Sequence, residues 1–193
     1  MDKKFWRDKP RPRKVIDKVA ISKRKERGWI KNIPLVPLVI VRRDEWGAKD
    51  PKVGTGEDVT SIRHPVKTII ISYTRHEMCD EQHECLRTVR QMQLDDMASG
   101  LPDIRYSFVV GGDGRVYEGR GYHYNPAKSE CLPEFFTKAL EIAHVGMHGK
   151  HLPQYMAKLA YDTVKRGVEN GYVDEKWEME LDLYDAAAEG YMD

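Results

Sequence analysis

The chain has few of the features that would send it into a membrane or onto nucleic acid. Of its 193 residues only three are cysteine, an odd number that cannot all pair. No apolar run approaches the ~20 residues that cross a bilayer. The longest, Ile33 to Val41, is broken by Pro34 and Pro37, so no transmembrane segment is expected. Met1-Asp2-Lys3-Lys4 leads into further charge, not into the apolar stretch of a secretory signal. The expectation is a leaderless chain, or a fragment or splice product of a longer one. Net charge is nearly absent too, with 32 Lys and Arg against 31 Asp and Glu. That balance gives no reason to expect a nucleic acid or a membrane surface as partner. Internal repeats and low-complexity blocks are missing.

What remains suits a soluble globule: 40% of the residues are hydrophobic, and the length fits one domain with a substantial core. Charge is unevenly placed. Residues 1–28 carry a basic excess with only Phe5, Trp6 and the following Trp29 as aromatics, and read as a solvated tail. The proline-bearing stretch Lys31–Pro37 marks its boundary, giving a tail and linker over 1–38, a folded domain over 39–173 and an acidic segment over 174–193.

Inside the domain, Val66–Ser72 is a short β-branched run, the pattern of a strand covered on both faces. Asp80 is placed to cap a helix over Glu81–Ser99, with Leu86, Val89, Met92 and Met97 on one side and Gly100 as its stop. Ile104, Tyr106, Phe108 and Val110 alternate as a strand. After Gly111-Gly112-Asp113-Gly114 a second strand resumes at Val116-Tyr117, a hairpin whose glycines are expected to supply positive φ. Ala139–Gly146 reads as an inner strand. Pro153 opens a second amphipathic helix to about Asn170, with Met156, Leu159, Ala160, Val164 and Val168 inward and Gly171 ending it. Strands and helices interleave, so the fold class is α/β: a mixed central β-sheet flanked by α-helices.

The wording of the hairpin says more than its shape. From Tyr106 it reads YxFxVGGDGxVYEGRG, which resembles the signature of peptidoglycan recognition proteins and their type 2 amidase relatives. Four further blocks in order extend the resemblance over Val39–Gly171. Arg43-Asp44-Glu45-Trp46-Gly47-Ala48 looks like an opening RxxWGA, and Cys79 and Cys85 match a short-loop cysteine pair. Val89-Arg90-Gln91-Met92-Gln93 is similar to VRxIQ, and ALEIAHVG (139–146) to SxGIxFxG. The resemblance implies a Cys79–Cys85 disulfide, with two reduced thiols as the alternative; Cys131 has no matching partner. It also implies an extracellular setting, although no signal peptide is read in this chain.

Amidases of that family hydrolyse the lactyl–L-alanine bond of peptidoglycan with a zinc-bound water held by two histidines and a cysteine. The first histidine ends a strand reading IIHHT, and here Ile70-Ile71-Ser72-Tyr73-Thr74 puts Ser72 in its place. The other two lie in a C-terminal HRxVxxTxCPG segment, whereas the residues after Gly171 contain neither histidine nor cysteine. All three ligand positions are empty, so no metal, no cofactor and no catalysis are expected. Tyr106 matches the tyrosine that assists the zinc water; a half-buried strand tyrosine is the other reading. His144, His148 and His151 lie close in sequence, with His64, His76, His83 and His123 elsewhere, and form no expected zinc set.

Many family members recognise peptidoglycan without cutting it, and the resemblance carries ligand contacts to Ser72, Thr74, Tyr106, Gly121, Tyr122 and Lys138. Gly121-Tyr122 is near the Gly-Trp that accompanies diaminopimelate-type stems. Lys138 stands where an arginine pairs the extra carboxylate, offering charge without a bidentate fork. Asp96 and Gly100 replace a histidine and an arginine usual on the helix, and a GAHT run after the hairpin is missing. The expected function is therefore a non-catalytic innate-immunity module that binds bacterial peptidoglycan fragments or regulates a sister receptor, with a hetero- or homodimer among its partners. The alternative is a zinc-dependent N-acetylmuramoyl-L-alanine amidase.

Overall fold

Two layers of helix close on the two faces of one six-stranded sheet. The computed structural model describes residues 36–52, 61–126, 139–146 and 152–181. In chain order the elements are β1 (Ile40–Val41), α1 (Arg43–Trp46), β2 (Val66–Tyr73), α2 (Gln82–Ala98), β3 (Phe108–Val110), β4 (Val116–Glu118), β5 (Ala139–His144), α3 (Gln154–Glu169) and β6 (Val173–Leu181). The sheet order is β1-β4-β3-β5-β2-β6. Among the described strands only the β3/β4 pair is antiparallel; the other four pairings are parallel. Among the described residues, no helix is long and apolar enough to cross a membrane.

The sequence explains each helix's ends. α2 stops at Ser99, and Gly100 follows with φ +103°, a conformation that a Cβ would strain. Glu81, not Asp80, holds the N-cap position, and its side chain makes no capping bond. Pro153 precedes α3 with its fixed φ, and Gly171 (φ +76°) turns the chain back so that the Tyr172 N–H meets the Gly167 carbonyl at 2.8 Å.

Side-chain alternation sorts the core into two clusters. One gathers Ile69, Ile71, Phe108, Val110, Leu140 and Ile142 under α3, with Met156, Leu159, Ala160 and Val164 from the helix. The other gathers Val109, Tyr117, Ala143 and Val145 under α2, with Cys85, Val89, Met92 and Trp46. The hairpin departs from its alternating pattern. Its first strand begins only at Phe108, while Ile104 to Ser107 is irregular backbone held by bonds such as Ser107 N–H to Glu141 O and Arg120 N–H to Tyr106 O, both 2.9 Å. Phe108, Val109 and Val110 are all buried, because helices cover both faces of the sheet there.

The hairpin glycines also do different work from that expected. Of the three glycines in the Gly111–Gly114 turn, only Gly114 has positive φ. Gly112 is required by close approach: a Cβ there would lie 2.4 Å from the Cys79 carbonyl oxygen. The acidic segment contributes structure as well, since Val173–Leu181 forms β6 and pairs in parallel with β2 at the sheet edge.

Candidate functional site

Three of the sequence blocks meet at one loop. Arg43, in α1, donates to the Gly119 carbonyl at 2.7 Å and pairs with the Asp103 carboxylate at 2.9 Å. Gln93 of α2 donates to the same carboxylate at 2.6 Å, and Trp46 Nε1 donates to the Glu118 carbonyl at 2.8 Å. Arg120, 6% exposed, donates to the Ile104 and Asn125 carbonyls at 2.7 and 3.0 Å. A planar guanidinium with five donors suits such a buried loop junction. Gly119 has no room for a side chain, as its Cβ would lie 2.3 Å from the Tyr106 carbonyl oxygen. The opening RDEWGA, the DIRYSF loop and the closing YEGRG thus fix one another, and what they hold in place is the stretch that carries Arg105 and Tyr106.

Arg105 is anchored from α2. Its Nε and Nη2 reach Asp96 Oδ1 at 2.8 and 2.6 Å, and its own N–H donates to Asp96 Oδ2 at 2.9 Å. Burial alone lowers a guanidinium's pKa, but the Asp96 carboxylate more than offsets it and the net shift is upward. Arg105 also lies 5.9 Å over the Tyr106 ring and feels the charge of Glu141.

Ser72 lies near the end of β2 on the α2 side of the sheet, opposite the inward Ile69 and Ile71. Its Oγ donates to Glu141 Oε1 at 2.9 Å, both residues being 6% exposed. Glu141 is itself set by the sheet: its N–H donates to Ser107 Oγ at 3.2 Å, and its Cα partner on β2 is Ile70, whose partner on β6 is Glu180. In the SxGIxFxG strand that ALEIAHVG resembles, Glu141 occupies the glycine position. A carboxylate therefore stands at that position, directly before the Ser72 hydroxyl.

Ser72 and Tyr106 share this side of the sheet, and Thr74 follows the same strand. The Thr74 hydroxyl, 1% exposed, accepts the Gly146 N–H at 3.0 Å and ties the ends of β2 and β5. Tyr122 lies elsewhere. Its ring packs on Phe108 at 4.6 Å and stacks on Tyr172 at 5.0 Å over the α3-side core, and its hydroxyl donates to the Thr163 carbonyl at 2.6 Å. Burial pushes its phenol pKa up. Gly121 beside it turns with φ +63°. Lys138, Cys131, His148 and His151 lie outside the described residues. Cys79 and Cys85 are joined by a disulfide.

Among the described residues, no three or more His, Cys, Asp or Glu side chains gather into a metal-holding group. Buried Ser72 and Glu141 fit a hydrogen-bonded pair, and the serine's neutral hydroxyl is a poor ligand for zinc. Residues that sequence reasoning passes over, namely Glu141, Arg105, Asp103 and Arg120, form the polar frame around Tyr106. The signal for Glu141 is one carboxylate in an otherwise apolar inner strand.

No protein-family model matches the chain. Relatives do. Over 143 residues the chain is 30% identical to peptidoglycan-recognition protein LB of Drosophila melanogaster, covering 72% of this chain and 58% of that one. Over 141 residues it is 33% identical to peptidoglycan-recognition protein 1 of Holotrichia diomphalia, covering 71% of this chain and 66% of that one. It spans 47% to 59% of the length of three curated Drosophila relatives. The solved structure of Drosophila PGRP-LB superposes with a TM-score of 0.67 at 30% identity, over 75% of this chain and 82% of that one. The ectodomain complex of PGRP-LCa and PGRP-LCx, solved with bound tracheal cytotoxin, matches with a TM-score of 0.66 at 26% identity, over 74% of this chain and 82% of that one. On this identity and coverage, and on the superposition with the solved structures, this chain belongs to the peptidoglycan recognition protein family.

Proposed function

We propose that the chain is a non-catalytic recognition module of innate immunity that binds peptidoglycan fragments. The observation that carries this reading is the Ser72–Glu141 hydrogen bond at the position where resemblance places the first zinc imidazole. A metal-bound water needs a ligand set with one open position, and here the first ligand is replaced by a hydroxyl already donating to a buried acid. The ligand class follows from the relatives. Tracheal cytotoxin, a monomeric diaminopimelic acid-type peptidoglycan, is bound in solved family structures. The proposed contact residues are Tyr106, held by the Arg105–Asp96 pair, and Lys138.

A second reading, regulation of a sister protein without a muropeptide of its own, is favoured by one feature. The Asp96 carboxylate is committed to Arg105, and the Tyr122 ring is buried against Phe108 and Tyr172, so two of the family's ligand-facing positions serve the fold. The PGRP-LCa and PGRP-LCx pair is a precedent for such a partnership.

Calorimetry with tracheal cytotoxin on the full chain and on Lys138→Ala separates the two. Saturable binding that weakens in the variant supports recognition with charge pairing at Lys138. Silence from both proteins moves the function to the partner. Release of the stem peptide from the muropeptide in zinc-containing buffer, followed by mass spectrometry, would restore the amidase reading.

A further inference from the structure

A separate group of rings stands at the surface beside the α3-side core. Segment 61–64 runs antiparallel to residues 122–124, through the Ser61–Tyr124 bridge and the Ile62 N–H to His123 carbonyl bond of 2.9 Å. This pairing brings the exposed His64 and His123 rings to a centroid distance of 6.1 Å. Tyr172 backs both, at 5.1 Å from His64 and 4.9 Å from His123. That backing is rigid: Tyr172 donates its N–H to Gly167 O at 2.8 Å, accepts the Val66 N–H at 2.9 Å, and stacks on Tyr122.

His64 Nδ1 lies 3.2 Å from the Tyr172 carbonyl oxygen. A carbonyl only accepts, so Nδ1 carries the proton, and in the neutral ring Nε2 keeps its lone pair. Metal-binding histidines are oriented in this way, one nitrogen donating to a carbonyl and the other ligating. Two imidazoles bridged by one ion at about 2.0–2.1 Å per bond have ring centres roughly 5–6 Å apart. The observed 6.1 Å is within a small ring rotation of that span. Both side chains are exposed, and the terminal torsion of histidine is broad, so the edge-to-face pair can turn its nitrogens together.

We propose that His64 and His123 form a two-imidazole surface site for a late first-row transition-metal dication such as Zn2+, with water completing the coordination. The softness of the ligands selects this class and rejects Ca2+ and Mg2+. A bound ion would staple segment 61–64 to residues 122–124 across the end of the sheet. The site is distinct from Ser72 and Glu141, which face the other side of the sheet, and it does not depend on the peptidoglycan reading.

The test is a calorimetric Zn2+ titration of the full chain beside His64→Gln, His123→Gln and, as a control, His83→Gln, whose exposed ring pairs with Glu81. The expected result is one equivalent bound by the wild type and by the control. Affinity should fall at least tenfold in each of the other two variants. Zn2+, but not Mg2+, should raise the Tm of the wild type and leave those two variants unmoved, since a ligand of the folded state stabilises it. No uptake by the wild type overturns the proposal, as does undiminished uptake by either variant. Should His64→Gln fail to fold because it loses the bond to Tyr172, His123→Gln decides alone.

Discussion

Ser72 has one hydroxyl proton, and it points at Glu141 Oε1 over 2.9 Å in a site that water barely reaches. Removing that donor leaves a buried acceptor with one bond fewer, which costs about 1–3 kcal/mol. Ser72→Ala should therefore lower the urea midpoint by a corresponding amount without changing the slope of the transition. Two tyrosines make a second prediction at this scale. Burial, together with the bond to Asp113, holds Tyr117 above its ordinary pKa, and burial does the same for Tyr122. Folded chains then keep a phenolic proton that unfolded chains release above pH about 10. This contribution to stability is complete below that pH and is lost progressively as pH rises from there toward the higher pKa values of the folded state. Denaturant unfolding across pH 8 to 11, paired with absorbance of tyrosinate, should show stability falling above about 10 while these phenols stay protonated in the folded state.

Glycines matter among the elements for where they let backbones touch. The Cys79–Cys85 loop rests against Gly112 at a spacing that admits no Cβ. Gly112→Ala should destabilise the fold by about 1–3 kcal/mol through overpacking, measured by thermal unfolding. Gly100→Ala, where a Cβ meets nothing within 4 Å and the cost is the positive φ alone, is the comparison. Much at this scale can be read from the chain alone. The β-branched run of β2, the stops at Gly100 and Gly171 and the inward face of α3 are local patterns, and the structure shows them within a residue or two. Two elements are obscured. β3 is short because α2 and α3 cover both of its faces, which hides alternation. In β6 the acidic residues mask a period of two, with Val173, Trp177 and Met179 against the α3-side core and Glu178 and Glu180 on the opposite face.

For the whole molecule, the sheet decides which side chains meet. The Ser72–Glu141 pair depends on the parallel register of β2 and β5, a contact between positions 69 residues apart, and no local pattern encodes it. The same holds for the union of Arg43 with Asp103 and Gly119, which turns separate family blocks into one clamp on the Tyr106 loop. The sequence blocks therefore announce the family through its scaffold, while the chemistry rests on a few positions where this chain departs from the scaffold's usual residues. The proposed reading, recognition without cleavage, rests on those departures. Isothermal titration of tracheal cytotoxin into the full chain, in buffer containing zinc, reads both halves at once. Saturable binding heat that returns to baseline after each injection, with intact muropeptide recovered, is the expected outcome. Sustained heat of turnover with released stem peptide, or no binding heat at all, would contradict it.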